Sequence, residues 1–370
     1  MNVKSVKRGA FAAAGAAALG LTLLAAPAQA DPYDGAGNHE WRQFAIVGSD
    51  TTQQVMTGLA DGIIGTSIED PDLNPAELWL GNYDATQPVG WTPPSGVNNG
   101  EIRTKPVGWP SNCVIDRPNG SSAGITALRN DIAAGTGCVD IARSSRGPRD
   151  TSGDLLTFVP FAQDGVTWAS RDDSPLAGED LTLAELRDIY QCTTTSLNGV
   201  TLQPLVPQAG SGTRGYWTDL MGIEEDLSDA PCVSDNVSGT PVQEHDGTIL
   251  SGSGQIMPYS IPQWLSQLHS ATTQVPDRRG DSELNLVAGA APYTGTSGNE
   301  VMNSSFPVIR PVYNVVETAR IDPLDPAYDA DLESVVVGST SEVCQRTSTI
   351  TGFGFATHPN CGDTSLTANN

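Results

Sequence analysis

Positive charge is scarce in this chain of 370 residues: 19 Lys and Arg stand against 43 Asp and Glu, a net charge of −24. Lys4, Lys7 and Arg8 are three of the nineteen, and after them no basic run is longer than the pair Arg278-Arg279. A surface for nucleic acid or anionic lipid needs clustered Lys and Arg, so neither is an expected partner. Long apolar runs are missing after the first thirty residues, which leaves no expected membrane span there. Cys-x-x-Cys and similar spacings are missing too, so no metal site is expected, and no cofactor is called for. No repeat of fixed period is present. Hydrophobic residues still make up 38% of the chain, enough for a packed core rather than disorder.

What is present begins with an export signal. Met1–Arg8 is basic, Phe11–Ala26 is apolar, and Ala28-Gln29-Ala30 is a small-x-small cleavage site before Asp31. This pattern predicts a secretory signal peptide over residues 1–30, cleaved after Ala30. The apolar run is short for a spanning helix. No Cys adjoins the cleavage site, so a secreted, extracellular or periplasmic chain without a lipid anchor is expected. Six Cys follow: Cys113, Cys138, Cys192, Cys232, Cys344 and Cys361. An even count in an exported chain predicts disulfides. Short-loop pairing would join 113–138, 192–232 and 344–361, but six Cys allow about 15 connectivities and the sequence does not choose among them.

One device recurs along the chain. Gln43–Val47 reads as a strand running into Gly48-Ser49-Asp50-Thr51-Thr52, with Val55, Met56, Leu59 and Ile63 at helical spacing afterwards. Val114–Asp116 leads into Asn119-Gly120-Ser121-Ser122-Ala123-Gly124, then a helix marked by Ile125, Leu128 and Ile132. Val139–Ala142 leads into Arg143-Ser144-Ser145-Arg146-Gly147, and Leu202–Val206 into Gly210-Ser211-Gly212-Thr213-Arg214-Gly215 before Trp217, Leu220 and Met221. Strand–loop–helix alternation predicts α/β architecture, with ligands beyond the carboxyl ends of the strands. Elsewhere, Thr182 and Glu185 have capping-box spacing, Glu69–Pro110 reads as an inserted surface region, and Val308–Val316 reads as a buried strand interrupted by Pro311.

Gly, Ser and Thr at helix starts let backbone approach a ligand and offer N–H and O–H donors without net charge. Four such loops converging can surround a tetrahedral oxyanion, which reconciles an anionic ligand with a strongly acidic chain. Taken singly, each loop also fits a plain turn. Gly120–Gly124 fits Gly-x-Ser-x-Gly as well, with Ser122 as a hydrolase nucleophile and His245, His269 or His358 as base. An exported adhesion or matrix protein with a degenerate receptor fold is a third reading.

The loops together resemble the phosphate-binding solute receptors of ABC transporters, the type II periplasmic-binding-protein family. Gly48-Ser49-Asp50-Thr51 is similar to that family's first loop, and Gly120–Gly124 to its Gly-Ser-Ser-Gly-Gly loop. Val139–Ser145 is similar to its Val-Asp-Phe-Gly-Ala-Ser-Asp strand, and Gly210–Thr213 matches its Gly-Ser-Gly-Thr loop. The resemblance implies a non-enzymatic, monomeric receptor of two α/β lobes joined by two crossings. It implies lobe I over 40–163 and 262–370 and lobe II over 164–261, with crossings near Asp164–Ala169 and Met257–Ile261. It implies inorganic phosphate or a similar oxyanion as ligand and an ABC permease as partner. The implied ligand set is Ser49, Asp50, Thr51, Ser121, Ser122, Ser145, Ser211, Gly212 and Thr213, with Arg146 and Arg214 supplying charge. Ser145 stands where the family has Asp, and Pro207 where it commonly has Arg. Asp50, the one carboxylate within the matched loops, is expected either to accept the proton of monohydrogen phosphate or to cap the helix after Thr51.

Overall fold

The computed structural model describes residues 31–32, 39–73, 77–88 and 92–370; the signal-peptide reading of residues 1–30 lies outside these described residues. Its centre is a ten-stranded sheet. In chain order its strands are β1 Phe44–Gly48, β2 Leu80–Asn82, β3 Ile141–Ser144, β4 Leu156–Arg171, β5 Gln203–Pro204, β6 Gln255–Ser260, β7 Ser282–Leu284, β8 Ile309–Glu317, β9 Ala356–Thr357 and β10 Thr367–Ala368. The strand order is β5-β6-β4-β8-β3-β1-β2, with β7, β9 and β10 also paired to β4. Five helices frame it: α1 Gln53–Asp61, α2 Ser121–Ala134, α3 Leu183–Tyr190, α4 Gly212–Met221 and α5 Ile261–Leu268.

The alternation of side chains along a strand explains the layers. In β1, Phe44 and Ile46 face the cluster that holds Val55, Met56 and Leu59 of α1, while Ala45 and Val47 face the cluster that holds Ile125 and Leu128 of α2. Both faces of β1 are therefore covered, which is why it reads as an unbroken apolar run. Its parallel neighbours β2 and β3 are in register at Ile46↔Asn82 and Ile46↔Ile141. β2 belongs to the stretch expected to be a surface insertion; Leu80 and Trp79 bury against β1 and its core instead.

The long strand β4 serves two halves of the sheet. Residues 156–165 pair with β8, from Glu317↔Leu156 to Ile309↔Gly165. From Val166 onward the partners are β6, at Ser260↔Val166, and β7. The core changes at the same place: Val159, Phe161 and Ala162 pack with Phe44, whereas Val166, Trp168 and Ala169 pack with Trp217, Tyr259 and Trp264. Trp264, Leu265, Leu284, Met302, Phe306 and Val308 belong to this second core, and Val312 to the first. Val275 packs in the first core, so residues 262–308 contribute to both. Pro311 does not interrupt β8, since β3 pairs with it only over Tyr313–Val315 and one side of the strand is open at Pro311.

Local expectations also hold. Thr182 Oγ1 accepts from Glu185 N at 3.2 Å while Glu185 Oε2 accepts from Thr182 N at 2.8 Å, closing the capping box of α3. The disulfides follow the short-loop pattern: Cys113–Cys138, Cys192–Cys232 and Cys344–Cys361. No helix among the described residues is long and apolar enough to cross a membrane.

Candidate oxyanion site

The four Gly/Ser/Thr loops meet at one place, beyond the ends of β1 and β3 and at the starts of α1, α2 and α4. Gly48 and Gly120 have φ of +117° and +98°, values that glycine adopts without penalty. A Cβ on Gly120 would lie 2.4 Å from Gly210 O, so the second and fourth loops touch backbone to backbone. Ser122 N donates to Gly210 O at 3.2 Å. A Cβ on Gly212 would lie 2.3 Å from Ser121 Oγ and 2.4 Å from Ser145 Oγ, so the missing side chain leaves those hydroxyls room.

The hydroxyls form a chain. Ser49 Oγ donates to Ser145 Oγ at 3.1 Å, Ser145 Oγ lies 3.3 Å from Ser121 Oγ, and Ser145 N donates to Ser121 Oγ at 3.0 Å. Across from them Thr51 Oγ1 lies 3.3 Å from Thr213 Oγ1. Arg143, wholly buried, fixes the first loop: it donates to Ser49 O at 2.9 Å, to Gly48 O and Ile46 O at 3.2 Å each, and to Asn82 Oδ1. Burial lowers its pKa to about 10, against the pull of Asp84 and Asp50.

Three residues absent from the expected ligand set stand in this group. Glu244 is fully buried, and its two oxygens accept from Thr51 N at 3.0 Å, Thr51 Oγ1, Ser211 Oγ and Thr213 N at 3.3 Å. Arg310, on β8, donates from Nε to Asp164 Oδ2 at 2.8 Å and from Nη2 to Thr213 Oγ1 at 2.6 Å. Asp164, on β4, also accepts from Ser260 Oγ at 2.7 Å. Arg310 Nη1 is buried with no hydrogen-bond partner among the described residues. A charged residue inside the apolar pattern of 308–316 was the sequence signal for Arg310; Glu244, in an irregular loop, carried none.

Asp50 does not cap the helix. The N-cap of α1 is Thr52, which makes no side-chain cap bond, and the Asp50 carboxylate turns to His245. A carboxylate only accepts, so His245 Nδ1 donates to Asp50 Oδ2, at 3.0 Å. Asp50 Oδ1 has no ordinary donor and stands beside Glu244. Burial and then the Asp50 charge push Glu244 up to about 8. Burial alone would raise Asp50, but hydrogen bonds from Glu244 and His245 outweigh it and hold Asp50 at about 2. The two carboxyls thus titrate as a pair, with loss of the second proton disfavoured and Glu244 the one pushed up.

The two arginines expected to bring charge are engaged elsewhere. Arg214 donates to Pro207 O at 3.1 Å, to Glu225 O at 2.8 and 2.6 Å, and to Asp235 Oδ2 at 2.6 Å. As the third residue of α4 it points along the helix flank, away from the hydroxyls. Arg146 donates to Gly147 O at 2.8 Å and to Ser122 Oγ at 3.2 Å. With Arg149, Gly215 and Tyr216 it lines a cavity of about 400 Å³. Ser122 thus faces Arg146 rather than a histidine. His245 is taken by Asp50, His269 Nε2 by Glu300 O, and His358 Nδ1 accepts from Asn360 N. A larger cavity of about 560 Å³, lined by Arg117, Ser122, Thr126 and Asn130, lies along α2, and none of Ser49, Ser121, Ser145, Ser211 or Thr213 lines it.

The comparisons with known proteins fit this architecture. An ABC-type phosphate transport receptor from Vibrio cholerae superposes with a TM-score of 0.50 at 19% identity, over 85% of this chain and 100% of that one. A candidate phosphate ABC transporter substrate-binding protein from Clostridium perfringens, with bound phosphate, gives 0.49 at 17% identity, over 85% and 99%. No curated protein matches the chain. At 19% identity the likeness to the Vibrio cholerae receptor shows the fold, a mixed α/β type II periplasmic-binding-protein architecture. The model of the PBP superfamily domain matches residues 111–330, more than half of the sequence, and the chain belongs to that superfamily.

Proposed function

We propose that the chain is an exported, non-catalytic receptor that holds inorganic phosphate, or another tetrahedral oxyanion, in a cleft between two lobes. The carrying observation is the convergence of hydroxyls from four separate loops, Ser49, Thr51, Ser121, Ser145, Ser211 and Thr213, at three helix starts. Neutral donors and helix N-termini favour an anion without a cationic surface. Arg310 Nη1, buried and unpartnered, supports a charged contact from below. The lobes in this reading are residues 39–163 with 310–370, and 166–308. Closure of the lobes traps the solute. Export accords with the basic and apolar leader and with pairing of all six Cys. An ABC permease is the partner to which such a receptor would deliver.

Asp50 is the selectivity residue of this reading. Monohydrogen phosphate carries a proton that sulfate lacks, and a buried acceptor rewards that proton and repels sulfate. Asp50 Oδ1, which faces the Glu244 carboxyl rather than a fixed N–H donor, supports that role. A thermal-shift series with phosphate, arsenate and sulfate, followed by calorimetry, tests the reading. Phosphate should raise the melting temperature, since a ligand of the folded state stabilises by mass action. Asp50→Asn should lose phosphate affinity and gain sulfate relative to it. A wild-type chain stabilised by none of these anions would overturn the proposal.

A further inference from the structure

We propose that Glu244 is a tethered ligand: in the solute-free protein its carboxyl occupies the cradle, latches the lobes together and has to leave before an oxyanion enters. This rests on the reading of the cradle as the solute site.

The donors on Glu244 are those a bound anion would use. Thr51 N and Oγ1 come from the loop before α1, and Ser211 Oγ and Thr213 N from the start of α4, so one carboxyl joins segments some 160 residues apart. Every hydrogen bond to Glu244 comes from a neutral N–H or O–H, and Arg310, whose hydrogen bonds go to Asp164 and Thr213, acts on it only through its charge. A dehydrated oxyanion would be held the same way. The match extends to the proton. A neutral carboxyl group offers two acceptor oxygens and one O–H, and the unpartnered Asp50 Oδ1 stands ready to accept that O–H. Monohydrogen phosphate presents the same pattern of acceptors plus one donor.

The tether is a loop that crosses the cleft. Two consecutive residues, Glu244 and His245, reach two consecutive residues of the opposite side, Thr51 and Asp50. The loop has no helix or strand between Pro241 and Gly247. Val242 O accepts from Gln208 N at 2.9 Å, and His245 O from Gln267 Nε2 at 2.8 Å, so the loop is tied to the second lobe at both sides of Glu244. The side chain can therefore withdraw while its loop stays attached. A binding-competent state that is populated only in part lowers apparent affinity by that fraction.

The test uses the secreted chain, freed of phosphate by dialysis, in wild-type, Glu244→Ala and Glu244→Gln forms. Small-angle scattering reads closure without ligand, and calorimetry with inorganic phosphate reads affinity. Glu244→Ala should have a larger radius of gyration without phosphate and bind phosphate about tenfold tighter or more. Glu244→Gln, whose amide nitrogen cannot accept from Thr51 N or Thr213 N, should fall between wild type and Glu244→Ala in both measurements. If Glu244→Ala does not fold, Glu244→Asp replaces it, because one methylene less cannot span Thr51 and Ser211. Unliganded Glu244→Ala as compact as wild type, with equal phosphate affinity, overturns the latch and leaves the phosphate reading standing. Opening of Glu244→Ala with phosphate binding to neither form upholds the latch and overturns the phosphate reading.

Discussion

Asp164, where β4 passes from one half of the sheet to the other, and Glu244, in the cradle, are both fully buried carboxyl groups held by different means. Asp164 has a cation: Arg310 sits on it, with Ser260 completing its shell. Glu244 takes its hydrogen bonds only from N–H and O–H dipoles and has a second carboxyl beside it, with Arg310 acting through its charge and no hydrogen bond. Thr213 connects the two, taking Arg310 on its hydroxyl and lending its N–H to Glu244. An ion pair of fixed partners belongs to the frame, since breaking it strands a charge. A carboxyl held by dipoles leaves behind a set of donors that another anion can satisfy. The same chemical group is thus structural in one region and exchangeable in the other.

The largest expected effect breaks the frame. Asp164→Ala leaves Arg310 uncompensated and should cost about 3–5 kcal/mol of folding stability in denaturant melts. Glu244→Ala should cost clearly less, because water or anion can reach the released donors. Equal losses for the two would remove the contrast. Next, Ser145→Ala deletes a hydroxyl that Glu244 does not use but that Ser49 and Ser121 do, so the release of Glu244 does not offset its loss. Phosphate binding should weaken by about 1.5–3 kcal/mol, roughly 10- to 100-fold; calorimetry showing unchanged affinity would reduce the third loop to a turn.

The pH dependence of stability comes third. In the unfolded chain Glu244 gives up its proton near its ordinary value of 4.5, and in the folded protein near about 8. Between these the unfolded state binds fewer protons, so stability falls as pH rises, by up to about 1.4 kcal/mol per unit. The contribution is full below the unfolded value and gone above the folded one. The groups that face Glu244 are Asp50 from the loop after β1, Arg310 from β8 with Asp164 of β4 behind it, and His245 on its own loop. Glu244→Gln should flatten the slope in this window, and melts that fall equally in both forms would locate the titration elsewhere. The smallest effect is expected for Ser211→Ala. Ser211 serves Glu244 before binding and the anion after it, and only differential interactions shift an equilibrium. Its phosphate affinity should change by less than about tenfold. A loss as large as that of Ser145→Ala would mean that Glu244 does not compete.

Much of this molecule was legible as local pattern. The helix after Thr51 is written in Val55, Met56 and Leu59, the start of α3 in Thr182 and Glu185, and the left-handed turn before α2 in Gly120. Each is settled by neighbours within a few positions, where backbone sterics and hydrogen bonding act directly. Arg214 misled because adjacency along the chain is not adjacency in space. Its backbone N–H serves Ser211, while its guanidinium extends to Glu225 and Asp235.

The sequence by itself determined the strand–loop–helix alternation and the small hydroxyl residues at the helix starts. Backbone freedom, side-chain size and donor type are properties of the residues themselves. Only the tertiary structure decided what those donors hold. Glu244 reaches Thr51 across 193 positions, and Arg310 reaches Asp164 across 146. A carboxyl group's charge, partner and role are set by what surrounds it once water is excluded. That surrounding is assembled by β4 and β8, which bring distant parts of the chain to one buried point.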